Sequence, residues 1–168
     1  MSCLQVTTLI LVIVSTLFII ISLATDYWLE GPPFHLGLWK FCNSSDGCSS
    51  LPDLSFLQEK INATAPIVYV DCARGFTILT LVCLLIGVVA QALMIWFNSR
   101  LKVARKQKLT SSFVFLAVAS EIIGMAIFRS FPGTENNTVA LSWSYFLGWA
   151  SVGFSSVAGL TTLYAFRK

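Results

Sequence analysis

The sequence predicts an all-α membrane protein of four spanning helices, on three observations. Four long apolar runs divide the chain, most charged residues lie between the runs, and a short cysteine-containing segment follows the first run. Of the 168 residues, 56% are hydrophobic and only 11% are charged, and the mean hydropathy is +0.78. A soluble domain carries about 25% charged residues. This composition therefore excludes an ordinary soluble domain.

Each apolar run is long enough for a transmembrane helix, which needs about 20 residues. We expect spans at about 5–25, 76–98, 111–129 and 141–166, within a single four-pass domain covering 1–168. Backbone groups in lipid must be paired within their own segment, so the runs are predicted to be helices. No Lys or Arg precedes the first run, which favours an uncleaved helix over a cleavable signal peptide.

Basic residues predict the orientation of these helices. The loop 99–110 contains five of them and no acid, and two more end the chain. Positive residues favour the cytoplasm, so this loop and both termini are predicted to be cytoplasmic and the protein to lie in the plasma membrane. The loops 26–75 and 130–140 are then outside. Asn-x-Ser/Thr sequons agree with this orientation, since all fall in these outer loops and are predicted glycosylation sites: Asn43, Asn62 and Asn136.

Two cysteines in the first outer loop enclose a turn-rich segment. Asn, Ser, Asp and Gly lie between Cys42 and Cys48, and these residue types favour turns. We therefore predict two strands clamped by a disulfide, with free thiols or a metal pair as the alternatives. Zinc is disfavoured because His35, the only histidine, has no cysteine at ligand spacing and is expected to be a solvated loop residue. No metal, cofactor or catalytic residue is predicted.

Trp28 and Trp39 flank this loop on its membrane side. An indole combines an apolar body with a polar N–H, which suits the lipid headgroup zone. We therefore interpret both as membrane-interface anchors. An aromatic ligand-binding box is the alternative.

Glu121 is the only ionisable side chain well inside a predicted span. Inserting a carboxylate at that depth of the membrane costs at least a few kcal/mol of free energy. Such residues therefore usually face the interior of the helix bundle. We expect Glu121 to form a hydrogen bond with Ser15, Ser155 or Ser156, which lie at similar depth. A structural interhelical bond is one interpretation, and a cation or proton site is the other.

Several segments together resemble the claudin superfamily, and within it the branch of peripheral myelin protein, the epithelial membrane proteins and the lens fibre membrane intrinsic protein. The matching segments are 24–28, 37–39, 73–79 and 141–149, together with the cysteine pair. The resemblance implies a left-handed four-helix transmembrane bundle with a small extracellular antiparallel β-sheet, built mostly from the first outer loop. The motif residues that carry over are Trp28, Gly37, Leu38, Trp39 and Arg74, besides Cys42 and Cys48.

The same resemblance implies a non-enzymatic structural or adhesive protein of cell–cell contacts or membrane organisation. Its partners are then the lipid bilayer and either its own copies or other membrane proteins, in the same membrane or the opposite one. One alternative is a gamma-like auxiliary subunit of a channel or receptor. Another is a paracellular cation-selective pore, because acids outnumber bases in the first outer loop. A nucleic-acid partner is excluded, since no basic patch is interleaved with aromatics on a polar chain.

Overall fold

Four long helices form the body of the protein in the computed structural model, which describes residues 3–44, 47–50, 66–96, 103–130 and 139–167. Their bounds are α1 Cys3–Ala24, α2 Pro66–Trp96, α3 Val103–Arg129 and α4 Trp143–Arg167. Each contains a segment long and apolar enough to cross a membrane. Each also packs against two others, since α1 contacts α2 and α4, and α3 contacts α2 and α4.

α2 begins ten residues before the span predicted at 76–98. The additional turns carry Asp71 and Arg74, whose charges interrupt the apolar run. Val70 and Ala73 on the same turns are buried beneath the sheet. α2 therefore extends beyond its apolar segment because the face that carries Val70 and Ala73 packs in the core under the sheet.

A five-stranded antiparallel sheet covers one end of the bundle. Its strands are β1 Leu29–Gly31, β2 Phe34–Leu36, β3 Lys40–Asn43, β4 Gly47–Ser50 and β5 Ala140–Leu141. Their spatial order is β4-β3-β2-β1-β5. The first four strands follow α1, whereas β5 immediately precedes α4 and adds a second segment of the chain to the sheet. With this sheet and the four helices, the predicted fold class is confirmed.

The two faces of the sheet make different contacts. Directly opposed residues of antiparallel strands project to the same face. Leu29, Leu36 and Phe41 are paired in register and buried, and they form the packed face over the helix ends. The opposite face, here called the open face, is formed by Glu30, His35, Lys40, Cys42 and Cys48.

Candidate functional site

Trp28 connects the start of the sheet to the ends of three helices. Its ring is fully buried and packs edge-on against Phe128 of α3, with centroids 4.8 Å apart, and against Tyr145 of α4 at 6.0 Å. Its indole Nε1 donates a hydrogen bond to the carbonyl of Ser22 in α1 at 2.7 Å. The expectation that Trp28 anchors the protein in the lipid headgroups is therefore wrong, because the ring belongs to the protein core.

The Gly37-Leu38-Trp39 segment fits closely against the end of α1. A Cβ on Gly37 would overlap the Cα of Asp26 and lie 2.9 Å from its Oδ1, so only glycine fits there without backbone movement. Leu38 is fully buried. Trp39 is 40% exposed, and its Nε1 donates to the carbonyl of Leu23 at 2.8 Å. Of the two tryptophans, Trp39 is thus the one with ring surface available at the edge of the bundle.

Arg74 joins α2 to this segment. Its Nε donates to the carbonyl of Leu38, and its Nη1 lies 2.6 Å from a carboxylate oxygen of Asp71. The guanidinium carbon also lies 5.1 Å from the centre of the Trp39 ring, within the range of a cation–π contact. One side chain therefore holds the Gly37–Trp39 turn by hydrogen bonding and by stacking.

The disulfide between Cys42 and Cys48 links β3 to β4 at directly opposed positions on the open face. His35 pairs with Cys42 in the next strand, and its ring nitrogen and the two sulfurs lie within 4.8 Å of one another. The imidazole also stacks on Tyr27, with centroids 4.4 Å apart. The expectation of a solvated loop histidine is therefore wrong, because strand pairing brings together residues that sequence spacing keeps apart. Sulfurs joined in a disulfide are not thiolate ligands for a metal.

The predicted glycosylation sites differ in what the structure describes. Asn43 ends β3 and is 8% exposed. Asn62 and Asn136 lie outside the described residues. Modification of all three stays a prediction.

Glu121 lies inside the bundle on α3 and is 1% exposed. Neither carboxylate oxygen has a hydrogen-bond partner among the described residues. Ser15 pairs with Ser151 instead, with hydroxyl oxygens 2.8 Å apart, and Ser155 and Ser156 donate to backbone carbonyls of α4. The predicted hydrogen bond to one of these serines is therefore wrong.

Small and polar groups surround this carboxylate. The nearby Thr80 hydroxyl of α2 is instead paired with Ser120, whose hydroxyl oxygen lies 2.7 Å away. A Cβ on Gly148 of α4 would lie 3.1 Å from Glu121 Oε1 and 2.8 Å from Met125 Cε. Glycine at position 148 therefore provides the space that both side chains occupy.

The contact between α1 and α4 contains a series of hydrogen bonds from side-chain hydroxyls that sequence reasoning missed. Thr8, Ser15 and Ser22 recur at every seventh residue of α1 and are all buried. Their partners on α4 are the Thr161 hydroxyl at 3.1 Å, the Ser151 hydroxyl at 2.8 Å and the Ser144 carbonyl at 2.7 Å. A seven-residue repeat is the spacing of helices that supercoil around each other, so this pattern was available as a signal.

Comparison with known proteins agrees with these features. Residues 1–162 match the sequence profile of the PMP-22/EMP/MP20/Claudin family. Lens fiber membrane intrinsic protein of Bos taurus is 30% identical over 164 residues, covering 92% of this chain and 86% of that protein. The protein of that name from Rattus norvegicus is 27% identical over 162 residues, with the same coverage.

A second named relative extends this similarity. Claudin domain-containing protein 2 of Homo sapiens is 28% identical over 164 residues, which cover 94% of this chain and 83% of the relative. The profile match includes the sheet, the disulfide, the first three helices and most of α4. The chain is therefore a multi-pass membrane protein that belongs to the PMP-22/EMP/MP20/Claudin family.

Proposed function

We propose that the protein is a non-enzymatic structural membrane protein that connects cells or organises membrane at cell–cell contacts, acting through its disulfide-clamped sheet. In this proposal the sheet lies outside the plasma membrane and both termini lie in the cytoplasm. The distribution of basic residues supports this orientation, since loop 99–110 is rich in Lys and Arg.

The observation that carries the proposal is the way the sheet is fixed to the helices. Trp28 packs against α3 and α4 and donates a hydrogen bond to α1, and Arg74 of α2 binds the Gly37–Trp39 turn. A recognition surface loses less entropy on binding when it is already ordered. A sheet that contacts every helix is suited to present a preformed surface to another protein.

The proposal is tested by mixing two differently labelled populations of otherwise non-adherent cells. One population expresses the chain, and surface labelling confirms that it reaches the plasma membrane. Clustering confined to expressing cells supports adhesion between two membranes. Absence of clustering, with a channel or receptor captured from the same cell, would instead favour the auxiliary-subunit function and contradict the proposal.

The orientation has its own test. Trypsin added to intact cells should leave loop 99–110 uncut, whereas the same treatment after permeabilisation should cleave it at its basic residues. Cleavage in intact cells would contradict the proposed topology.

A further inference from the structure

Three side chains of types that commonly bind metals lie in one row across the open face. Register pairs His35 of β2 with Cys42 of β3, and Cys42 with Cys48 of β4. Directly opposed residues of antiparallel strands project to the same face, with Cβ atoms about 4.5–5.5 Å apart. Each of three neighbouring strands therefore contributes one imidazole or one sulfur to the same patch of surface.

The three potential ligand atoms are close enough to share one ion. A ring nitrogen of His35 and the sulfurs of Cys42 and Cys48 all lie within 4.8 Å of one another. Sulfur and nitrogen ligands lie about 2.3 Å and 2.0 Å from a tetrahedral zinc ion, which places any two of them about 3.5–3.8 Å apart. Rotation of the side chains is sufficient to reach this spacing once the sulfurs are no longer bonded to each other.

The imidazole is already oriented by its neighbours. It stacks on Tyr27, with centroids 4.4 Å apart and an interplanar angle of 5°. Tyr27 itself lies against Trp143, with centroids 5.9 Å apart. A side chain that is ordered beforehand loses little rotamer entropy on binding. His35 is therefore arranged to bind an ion at a small entropic cost.

The charges of the site balance when a divalent ion is bound. Cys42 is buried in β3, whereas Cys48 is exposed on β4. A buried thiolate needs a compensating charge. Two thiolates and one Zn²⁺ sum to zero, and a neutral imidazole adds no charge. Calcium and magnesium prefer oxygen ligands, so sulfur and nitrogen favour zinc over these two ions.

We propose that Cys42, Cys48 and His35 bind one zinc ion when the disulfide is reduced, so that the disulfide and the metal are alternative cross-links of the same sheet. Three protein ligands leave the fourth tetrahedral position to water. This inference does not depend on the proposed adhesive function, because it concerns the chain alone.

The exchange between the two cross-links is balanced by a dithiol reductant. The dithiol gives two electrons and two protons, the S–S bond breaks, both cysteines become thiols, and the reductant becomes a disulfide. Zinc binding then releases the two thiol protons to solvent and forms two Zn–S bonds and one Zn–N bond. A disulfide oxidant reverses the sequence, since it re-forms the cystine, accepts two electrons and two protons and displaces the zinc.

The two cross-links differ in the strands that they join. β4 lies at the edge of the sheet, and all four of its residues are exposed. The disulfide ties β4 to β3. A zinc ion held also by His35 would tie both strands to β2. The metal would therefore keep the edge of the sheet fixed in a reducing environment, in which the disulfide is lost.

Cobalt(II), which occupies tetrahedral zinc sites and absorbs light when thiolates bind it, tests the inference on the purified full chain in detergent. After reduction with a phosphine, the protein should bind one Co²⁺ with thiolate-to-cobalt absorption, and Zn²⁺ should displace it. The oxidised protein should show no such absorption. In the reduced protein, Zn²⁺ should protect Cys42 and Cys48 from alkylation while the labelling of Cys72 on α2 stays unchanged.

His35→Gln is the diagnostic variant, because it retains both cysteines and can still form the disulfide. Loss of one of three protein ligands should weaken zinc binding by the reduced protein by at least about tenfold. Cys72→Ser is the matched control and should bind like the wild type, since Cys72 lies outside the sheet. The proposal is overturned if the reduced wild type shows no thiolate absorption and no protection, or if His35→Gln binds zinc as tightly as the wild type.

Discussion

The sheet end and the middle of the bundle are held together by different chemistry. At the sheet end, large side chains fill a continuous core that includes Trp28, Phe128 and Tyr145. In the middle, the Ser15 hydroxyl of α1 pairs with the Ser151 hydroxyl of α4, and Gly148 leaves space for Glu121 and Met125. The middle also has an apolar cluster that includes Val12, Leu84 and Val114, but none of its buried members is aromatic.

The difference follows from the surrounding solvent. Apolar side chains gain free energy by leaving water, and this drives the packing of a sheet that projects from the membrane. Between helices in lipid no such drive exists, so close packing and hydrogen bonds hold the helices together. The same chain therefore uses aromatic packing at one level and hydroxyl pairs at another. We expect substitutions to cost more at the sheet end than in the middle.

The largest effect is expected for Trp28→Ala. Removing a fully buried tryptophan should lower the free energy of unfolding by about 3–5 kcal/mol, because it leaves a cavity between the sheet, α3 and α4. Thermal unfolding of the purified protein in detergent measures the loss. The matched control is Trp149→Ala, since that ring is 40% exposed and its removal should cost far less. Equal losses in the two variants would contradict an aromatic core at the sheet end.

A smaller loss is expected for Gly37→Ala. The added methyl group would overlap the Asp26 Cα and lie 2.9 Å from its Oδ1, so backbone must move, at a cost of about 1–3 kcal/mol. Gly75→Ala is the control, because nothing lies within 4 Å of the added group and alanine favours the helix. The two variants should shift the unfolding temperature in opposite directions. A stabilising Gly37→Ala would show that the turn does not approach α1 so closely.

In the middle of the bundle, the pair Ser15 and Ser151 should contribute about 0.6 kcal/mol of coupling, the average found between helices in membranes. A double-mutant cycle with both alanine variants measures this coupling in detergent unfolding. A parallel cycle on Trp28 and Phe128, with alanine at each position, should give a larger value. If the serine pair couples more strongly than the aromatic pair, the contrast between the two regions is reversed.

The smallest effect is expected for Glu121→Gln. Neither carboxylate oxygen has a hydrogen-bond partner among the described residues, so the nearly isosteric amide removes no such bond. The change in unfolding free energy should stay below about 0.5 kcal/mol, the least that one intramolecular hydrogen bond contributes. A loss of several kcal/mol, or a cation-dependent stability present only in the wild type, would instead support the cation or proton site.

The helices were predictable because an apolar run of sufficient length has one stable conformation in lipid. The strands were harder to predict from the residues. β1 and β2 have three residues each and β5 has two, which is too short for alternation of polar and apolar residues to be recognised. β3 and β4 were predictable because the cysteines and turn residues mark the connection between them. The other strands of the sheet were predicted only from the resemblance to the claudin superfamily.

The errors at single residues share a physical cause. The sequence places Trp28 in the headgroup zone because an indole suits both a membrane interface and a core with one hydrogen-bond acceptor. The Ser22 carbonyl that accepts from it becomes a neighbour only in the folded protein. The errors at His35 and Glu121 arise in the same way, since strand register and helix rotation determine their neighbours. Residue type alone does not determine either quantity.

The position of β5 has a consequence for biosynthesis. The strand immediately precedes α4, so the ribosome completes α2 and α3 before it makes the segment that pairs with β1. Throughout that interval, the edge of β1 presents unpaired backbone groups of Leu29 and Glu30, which are a template for strand addition. An extended peptide can bind such an edge through main-chain hydrogen bonds. The chain therefore completes this sheet only after the segment that precedes α4 has been made.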